Sequence, residues 1–86
     1  MKLEIDWNCI GEINEDFTEM IVYYDSDGWD SRKRWREEME AAAENAHDGI
    51  NEPVWEALKK RGYDLSEEDH EFDEDDECII YKIVKL

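Results

Sequence analysis

Three stretches of the chain carry the apolar patterns of β-strands. The first, residues 2–9, alternates strictly between apolar and polar positions, which is typical of a half-buried strand. The second, residues 17–24, is rich in β-branched and aromatic side chains. The third, residues 78–86, is apolar at positions of both faces, so we expect it to lie inside a sheet rather than at an edge. Residues 10–16 contain Gly, Asn and acids and predict the loop of a hairpin between the first two strands.

Two helices are predicted between the second and third strands. The first begins at an N-cap, either Asp27 or Asp30, and ends near Ala46, because its apolar residues recur at the spacing of one helical face. The second begins at Asn51 and ends with three cations just before Gly62, an arrangement that suits the helix dipole and a glycine C-cap.

These elements predict a single α+β domain over residues 1–86, since a chain of this length supports one modest core. The expected fold is a three-stranded, mainly antiparallel sheet in the order β-β-α-α-β. Both helices would pack on one face of this sheet, and an acidic loop at residues 64–77 would precede the last strand. The expected core consists of Leu3, Ile5, Trp7, Ile21, Trp35, Met39, Leu58 and Ile83.

Charge adds a feature at residues 64–77, DLSEEDHEFDEDDE, which we call the acidic segment. Ten of its residues are Asp or Glu and none is Lys or Arg, in a chain whose net charge is −16. Like charges at this density repel one another, so a sequence that keeps them beside apolar elements indicates a use for their field. We expect Ser66 and Asp69 to form a capping box with one helical turn, and the rest of the segment to be loop.

Two other interpretations of the acidic segment stay open at the level of sequence. It could be a solubilising loop, or Asp73, Asp75 and Glu77 could share a hard cation through oxygen ligands, although no Gly supports the turn that such a site needs. The basic cluster at residues 32–36 could bind phosphate by itself. In so acidic a chain we favour internal neutralisation, in which these cations face the acidic loops.

The sequence contains no motif for catalysis, a metal or a cofactor. His47 and His70 are single, and there is no phosphate loop, dinucleotide fingerprint or nucleophile elbow. Cys9 and Cys78 lack the spacing of a redox or zinc site and predict reduced, buried thiols. We therefore expect no enzymatic activity, no cofactor and no metal. Because no apolar run approaches about 20 residues, we also expect a cytoplasmic protein that does not contact a membrane.

Carboxylates are the candidate partner-binding residues. The main set lies in the acidic segment and comprises Glu67, Glu68, Asp69, Glu71, Asp73, Glu74, Asp75, Asp76 and Glu77. A secondary patch comes from the hairpin and its loops and comprises Glu12, Glu15, Asp16, Asp25 and Asp27. Such charges attract a basic partner over about 8–10 Å at moderate salt and act mainly on the association rate.

A small acidic domain with a hairpin, two helices, four Trp and an acidic segment before its last strand resembles the phage-encoded DNA-mimic inhibitors. These include anti-CRISPR, antirestriction and uracil-glycosylase-inhibitor proteins. The resemblance is one of profile over the whole chain and involves no shared motif. It implies that carboxylates stand in for phosphates and block the basic nucleic-acid-binding groove of a bacterial defence enzyme such as a CRISPR effector. It further implies that the protein binds no nucleic acid itself and acts in the host cytoplasm.

The alternative function is that of an acidic antitoxin or adaptor, which neutralises a basic protein without competing with nucleic acid. The last strand bears on both, because a three-stranded sheet leaves one of its two apolar faces uncovered. Exposing several apolar side chains would forfeit a large part of a small domain's stability. We expect this face to pack against a second copy of the chain, giving a homodimer, or against the target.

Overall fold

One antiparallel sheet contains every strand of the computed structural model, which describes residues 1–6 and 9–86. The strands are β1 Lys2–Asp6, β2 Cys9–Ile13, β3 Glu19–Tyr23, β4 Tyr63–Leu65, β5 Glu71–Asp73 and β6 Cys78–Lys85. Helices α1 Arg32–Glu44 and α2 Glu52–Lys60 lie between β3 and β4 in the chain. The strand order is β1-β2-β3-β6-β4, with β5 also paired to β6, and the sheet curls into a half-barrel.

The predicted three-stranded sheet is wrong, although the α+β class holds. The segment predicted as one long hairpin, residues 2–24, instead forms three strands, with β1 paired to β2 and β2 paired to β3. Two further strands, β4 and β5, come from the start and the middle of the segment that the sequence predicted to be mostly loop. Short strands that lack clean alternation gain their order from the long strand beside them, which a local pattern does not reveal.

Strand β2 was not predicted, because it contains Gly11, and a glycine among polar residues favours a loop. In the fold it faces the core, and the side chain of Met20 occupies the space that a Cβ would need, with Ile5 Cδ1 3.0 Å from that position. Close packing on the helix-covered face of the sheet therefore requires the glycine, as it often does for glycines inside strands. Gly11 lies directly across from Val22 in the β2–β3 ladder.

The long strand β6 lies inside the sheet, so the prediction that it is not an edge strand is confirmed. It pairs with β3 on one side and with β5 and then β4 on the other. The register places Ile79, Tyr81 and Ile83 on the helix-covered face, where all three are buried. The strand thus has hydrogen-bonded neighbours on both flanks, while Ile80 and Val84 lie on its other face.

The helices close the concave side of the sheet. Helix α2 contacts both β1 and β4, the strands at the two ends of the sheet order, and α1 contacts β5 and β6. Neither predicted N-cap of α1 is correct, because Ser31 is the N-cap and its Oγ accepts a hydrogen bond from Arg34 N at 3.1 Å. Asn51 precedes α2 as predicted, and Gly62 follows its end with a positive φ of 88°. Among the described residues, no helix combines the length and apolarity needed to cross a bilayer.

Most of the predicted core is confirmed. Leu3, Trp35, Met39, Leu58 and Ile83 are buried. Ile5 is half-buried and packs against this core. The prediction for Ile21 is wrong, because it lies on the opposite face of β3 from the buried residues Met20 and Val22. Trp7 lies outside the described residues.

A buried chain of hydrogen bonds joins the sheet to both helices. Asn51, fully buried, donates from Nδ2 to the carbonyl oxygens of Ala42 and Asn45 at 2.8 and 2.6 Å. Its Oδ1 accepts from the hydroxyl of Tyr81 at 2.7 Å, and that hydroxyl accepts in turn from Tyr24 at 2.6 Å. Burial raises the pKa of Tyr24 to about 12 and raises the pKa of Tyr81 as well, so both phenols keep their protons at neutral pH. Asn51 therefore fixes the end of α1 and the start of α2 against β6.

We expect Asn51→Ala to lower the free energy of unfolding by about 2–4 kcal/mol, because it removes the hydrogen bonds of Asn51 to the Ala42 and Asn45 carbonyls and to the Tyr81 hydroxyl. Urea unfolding followed by Trp fluorescence measures this change. Tyr24→Phe is the matched control, since it removes the outer hydroxyl and keeps the Tyr81–Asn51 bond. Equal losses for the two variants would contradict the central role of Asn51.

Candidate protein-binding surface

The acidic segment is ordered along the edge of the sheet, so its prediction as loop is wrong. Its first residues complete β4, its middle forms β5, and residues 74–77 form the turn into β6. The predicted helical turn is also wrong, because Ser66 Oγ accepts from the neighbouring Glu68 N at 3.2 Å in a local bend. Pairing with β6 satisfies backbone groups of residues 64–65 and 71–73, and this gain opposes the repulsion among the carboxylates of the segment.

Between β4 and β5 the chain leaves the ladder and is held by His70. The backbone N–H of His70 donates to Ala43 O at 2.8 Å, and its Nδ1 accepts from Lys82 N at 3.0 Å. The imidazole takes the place of a strand carbonyl in the ladder with β6. Its ring is buried and packs edge-on against Tyr81 with 5.0 Å between centroids. His70 therefore has a structural role within the acidic segment.

The titration of His70 follows from this burial. Loss of solvent is the main cause that lowers the pKa of the imidazole, and the charge of Lys82 lowers it further. The hydrogen bond at Nδ1 requires an unprotonated nitrogen, so the proton of the neutral ring lies on Nε2. The folded protein thus favours the neutral imidazole more strongly than the unfolded chain does.

The turn at residues 74–77 is anchored to α1 by arginines. Arg32 Nη1 donates to Glu77 Oε2 at 3.0 Å and Nη2 donates to the carbonyl oxygen of Glu74 at 3.1 Å. Arg36 Nη1 pairs with Glu74 Oε1 at 3.2 Å. Ser26 Oγ also donates to Glu77, and this bond followed by the Arg32 contact lowers the pKa of the Glu77 carboxyl. Arg34 also pairs with Asp30 of the loop before α1 at 3.3 Å, so the prediction that residues 32–36 neutralise acidic loops internally is confirmed for three of these cations.

Two conformational details add to this anchoring. Asp73 Oδ1 accepts from the backbone N–H groups of Asp75 and Asp76, each at 3.1 Å, and so caps the turn. Glu77 adopts a left-handed backbone with φ of 52°, which is unfavourable for a residue with a Cβ. Its contacts with Ser26 and Arg32 hold it there. Asp73, Glu74 and Glu77 are therefore structural carboxylates.

The other carboxylates of the main set point to solvent. Glu68 forms an exposed pair with Lys82 at 3.5 Å. No ion pair within the described part of the chain involves the remaining five. These outward carboxylates are Glu67, Asp69, Glu71, Asp75 and Asp76, and all five are exposed. Glu71 projects from β5, and Asp75 and Asp76 project from the turn that Asp73 caps, so their positions are fixed more firmly than those of a flexible tail. Glu67 and Asp69 lie in the bend between β4 and β5, which the backbone hydrogen bonds of Ser66 N and His70 N hold at its two ends.

The secondary patch does not form a single cluster. Asp25 and Asp27 lie in the loop after β3, beside the turn at residues 74–77, because Tyr24 N donates to Glu77 O at 2.7 Å. Glu15 and Asp16 lie in the β2–β3 turn, at the opposite end of β3. The structure therefore divides the predicted carboxylates between the two ends of the sheet, which a five-residue strand separates by roughly 17 Å.

Glu12, the last member of that patch, belongs to the uncovered face of the sheet, which the sequence predicted without the residues that β2 contributes to it. It lies on the face of the sheet opposite the buried residues, which we call the open face, in register with Ile21, Ile80 and Glu71. The neighbouring positions on this face include Glu4 and Ile10, which pair across β1 and β2. Ile10 was predicted to lie in a loop, because Gly11 interrupts the pattern of residues 9–13 that would otherwise have indicated a strand.

The two cysteines lie on opposite faces of the sheet and neither forms a disulfide. Cys78 is buried on the open face beside β5, where burial and then the charge of Asp73 raise the pKa of its thiol. Cys9 is half-buried, and burial followed by the charge of Asp6 raises its thiol pKa. Both thiols are therefore protonated at neutral pH and weak nucleophiles.

The cation site considered for Asp73, Asp75 and Glu77 is not assembled, because Asp73 caps the turn and Glu77 turns toward Arg32. Within residues 1–6 and 9–86, no group of three or more His, Cys, Asp or Glu side chains is arranged to hold a metal ion.

Comparisons of the chain with protein-family models, with curated proteins and with solved structures found no match.

The division into structural and outward carboxylates predicts that two double substitutions have opposite effects on stability. We expect Asp75→Asn with Asp76→Asn to leave the urea midpoint unchanged or higher, since it removes repulsion and no ion pair. Glu74→Gln with Glu77→Gln removes the same charge but breaks the contacts with Arg32 and Arg36, so its midpoint should fall. A lower midpoint for the Asp75 and Asp76 variant would show that those carboxylates are structural as well.

His70 predicts a loss of stability as the pH falls. Above the unfolded pKa of about 6.5 the folded and unfolded states both hold a neutral imidazole, so its contribution is constant. Below that pH the unfolded chain binds a proton at His70 more readily than the folded protein does, so the free energy of unfolding should decrease. Urea unfolding between pH 7.5 and 5.5 measures this slope.

The matched variant is His70→Asn, whose amide oxygen can still accept from Lys82 N. Its free energy of unfolding should be nearly flat over the same interval, while His47→Asn accounts for the other imidazole. If His70→Asn retained the full slope, another group would be responsible.

Proposed function

We propose that this protein is a small acidic inhibitor that occupies the basic nucleic-acid-binding groove of a bacterial defence enzyme, such as a CRISPR effector, with carboxylates in place of phosphates. The observation that carries the proposal is the set of outward carboxylates on an ordered edge. They lack ion pairs within the described residues. Glu71 stands on β5, Asp75 and Asp76 stand on the turn capped by Asp73, and Glu67 and Asp69 lie in the bend between β4 and β5. The proposed site of action is the cytoplasm of the host cell.

Fixed carboxylates suit a phosphate-binding groove better than a disordered acidic tail does. Basic grooves bind nucleic acid through several Lys and Arg side chains at set positions, and each contact releases counterions. A preorganised anionic edge meets such a groove with less loss of conformational entropy on binding. The chain carries 26 carboxylates on an accessible surface of 5698 Å², so its field extends well beyond the edge itself.

The internal ion pairs support the same proposal. Arg32 and Arg36 pair with Glu77 and Glu74, whereas Asp75 and Asp76, at the tip of the turn, form no ion pair with any residue that the structure describes. Since the tip is exposed, its charges would approach a partner first. Their main effect is expected on the rate of association, which electrostatic steering raises by about 10- to 1000-fold.

A second candidate is the antitoxin or adaptor that neutralises a basic protein without competing with nucleic acid. The observation that favours it is the apolar content of the open face, where Ile10 and Tyr23 are 54% and 62% exposed. Mimicry of phosphates needs no such side chains, whereas a protein interface commonly does. Competition with nucleic acid separates the two candidates.

We expect the protein to displace DNA from at least one purified defence enzyme at stoichiometric concentration. The measurement is fluorescence anisotropy of a labelled oligonucleotide on a panel of CRISPR effectors and restriction enzymes. Excess unlabelled DNA should in turn prevent binding of the protein to the same enzyme. If the protein binds an enzyme and excess DNA leaves that complex unchanged, mimicry is wrong and the second candidate is favoured. If it displaces DNA from no enzyme of the panel, the proposal fails for these classes.

A pair of charge variants tests the edge itself. The first, Asp69→Asn with Asp75→Asn and Asp76→Asn, should slow association by about tenfold or more in stopped-flow measurements at low salt. The matched control removes the same charge from α1 through Glu37→Gln, Glu38→Gln and Glu40→Gln, all exposed. Equal slowing by both variants would mean that net charge matters and the edge does not.

A further inference from the structure

The open face combines apolar and acidic side chains in an ordered pattern. Its central positions are apolar, with Ile21 on β3 paired to Ile80 on β6 and with Ile10 and Tyr23 flanking the Gly11–Val22 pair. Ile10 and Tyr23 are more than half exposed. No helix in the described part of the chain covers these side chains, since α1 and α2 pack on the other face.

Carboxylates border this apolar strip on both sides. On one side lie Glu4 of β1 and Glu12 of β2, and on the other lie Glu71 and Asp73 of β5. Adjacent strands are about 4.8 Å apart, so three to four strand spacings put the two acidic borders roughly 14–19 Å from each other. An α-helix with its side chains is about 10–12 Å wide, so along this convex surface it can lie on the apolar strip with one acidic border on each side.

We propose that the open face binds a cationic amphipathic helix of a protein partner, with the apolar stripe of that helix on Ile10, Ile21, Tyr23 and Ile80. Lys or Arg side chains on both sides of the stripe would reach the carboxylates of the two borders. The inference shares with the proposed function only the requirement for a basic protein partner, and it assigns the contact to the face of the sheet in addition to its edge.

Charge decides against a second copy as the occupant. The open face carries Glu4, Glu12, Glu19, Glu71 and Asp73 against the two cations Lys2 and Lys82. In a two-fold dimer the same patch meets itself, so these acidic borders would face like charges. A cationic helix removes that repulsion and covers the same apolar strip, which burial favours by about 25 cal/mol per Å².

The test uses a defined probe, an 18-residue synthetic helix of Leu and Lys with its leucines on one side. A peptide of the same composition in scrambled order keeps the charge and loses the stripe. By isothermal titration calorimetry we expect the amphipathic peptide to bind with one-to-one stoichiometry and at least tenfold more tightly than the scrambled one. Equal affinity for the two peptides would overturn the inference, because it would reduce the contact to net charge.

Variants locate the contact on the open face. Ile10→Ser with Tyr23→Ser should weaken binding of the amphipathic peptide at least tenfold, and urea unfolding should show that the fold persists, since both side chains are mostly exposed. The matched control, Trp29→Ser with Leu86→Ser, changes two exposed apolar side chains elsewhere and should bind as the parent does. Parental affinity in the Ile10 and Tyr23 variant would overturn the inference. So would a dimer in analytical ultracentrifugation that this variant disrupts, because the occupant would then be a second copy.

The failure of this inference can be told apart from failure of the proposed function. If the protein displaces DNA from an enzyme and the Ile10 and Tyr23 variant does so equally well, the edge suffices and the open face is not the contact. If the peptide measurements hold while no enzyme of the panel loses DNA, the open face binds a basic helix and phosphate mimicry fails for the enzyme classes of that panel.

Discussion

The rest of the structure depends on the pairing of β6 on both of its sides. An interior strand needs hydrogen-bond partners along two edges, and β3 supplies only one of them. The acidic segment supplies the other through β5 and β4, with His70 filling the gap in the ladder. A segment with ten like charges is therefore ordered because a buried strand requires its backbone.

This requirement sorts the carboxylates into two groups. The structural carboxylates hold the turn at residues 74–77. Asp73 caps this turn, and Glu74 and Glu77 pair with arginines of α1. The five outward carboxylates form no ion pair within the described residues and carry the field. Asp75 and Asp76 lie between structural carboxylates in the chain, so the order of the turn fixes their positions. The proposed inhibition rests on this feature.

The edge and the open face offer two complementary means of contact. Charges at the edge act at long range and mainly speed the encounter with a basic partner. The apolar strip between the acidic borders acts only at contact and would slow dissociation. Both belong to the same sheet, and β5 contributes to each of them, so one partner can meet both surfaces without any rearrangement of the domain.

The sequence by itself determined the α+β class, both helices, the interior position of the last strand and most of the core. These features follow from local periodicity and from apolar content, as for Trp35 and Met39 on one face of α1. It also determined which residues are acidic and that the cations of α1 would neutralise some of them.

Only the tertiary structure decided that residues 9–13 and 71–73 are strands, since Gly11 fits against Met20 and β5 gains its order from β6. It likewise decided which carboxylates are structural and that apolar residues of three strands form one exposed strip. Such properties arise from contacts between residues far apart in the chain, and no local pattern encodes them.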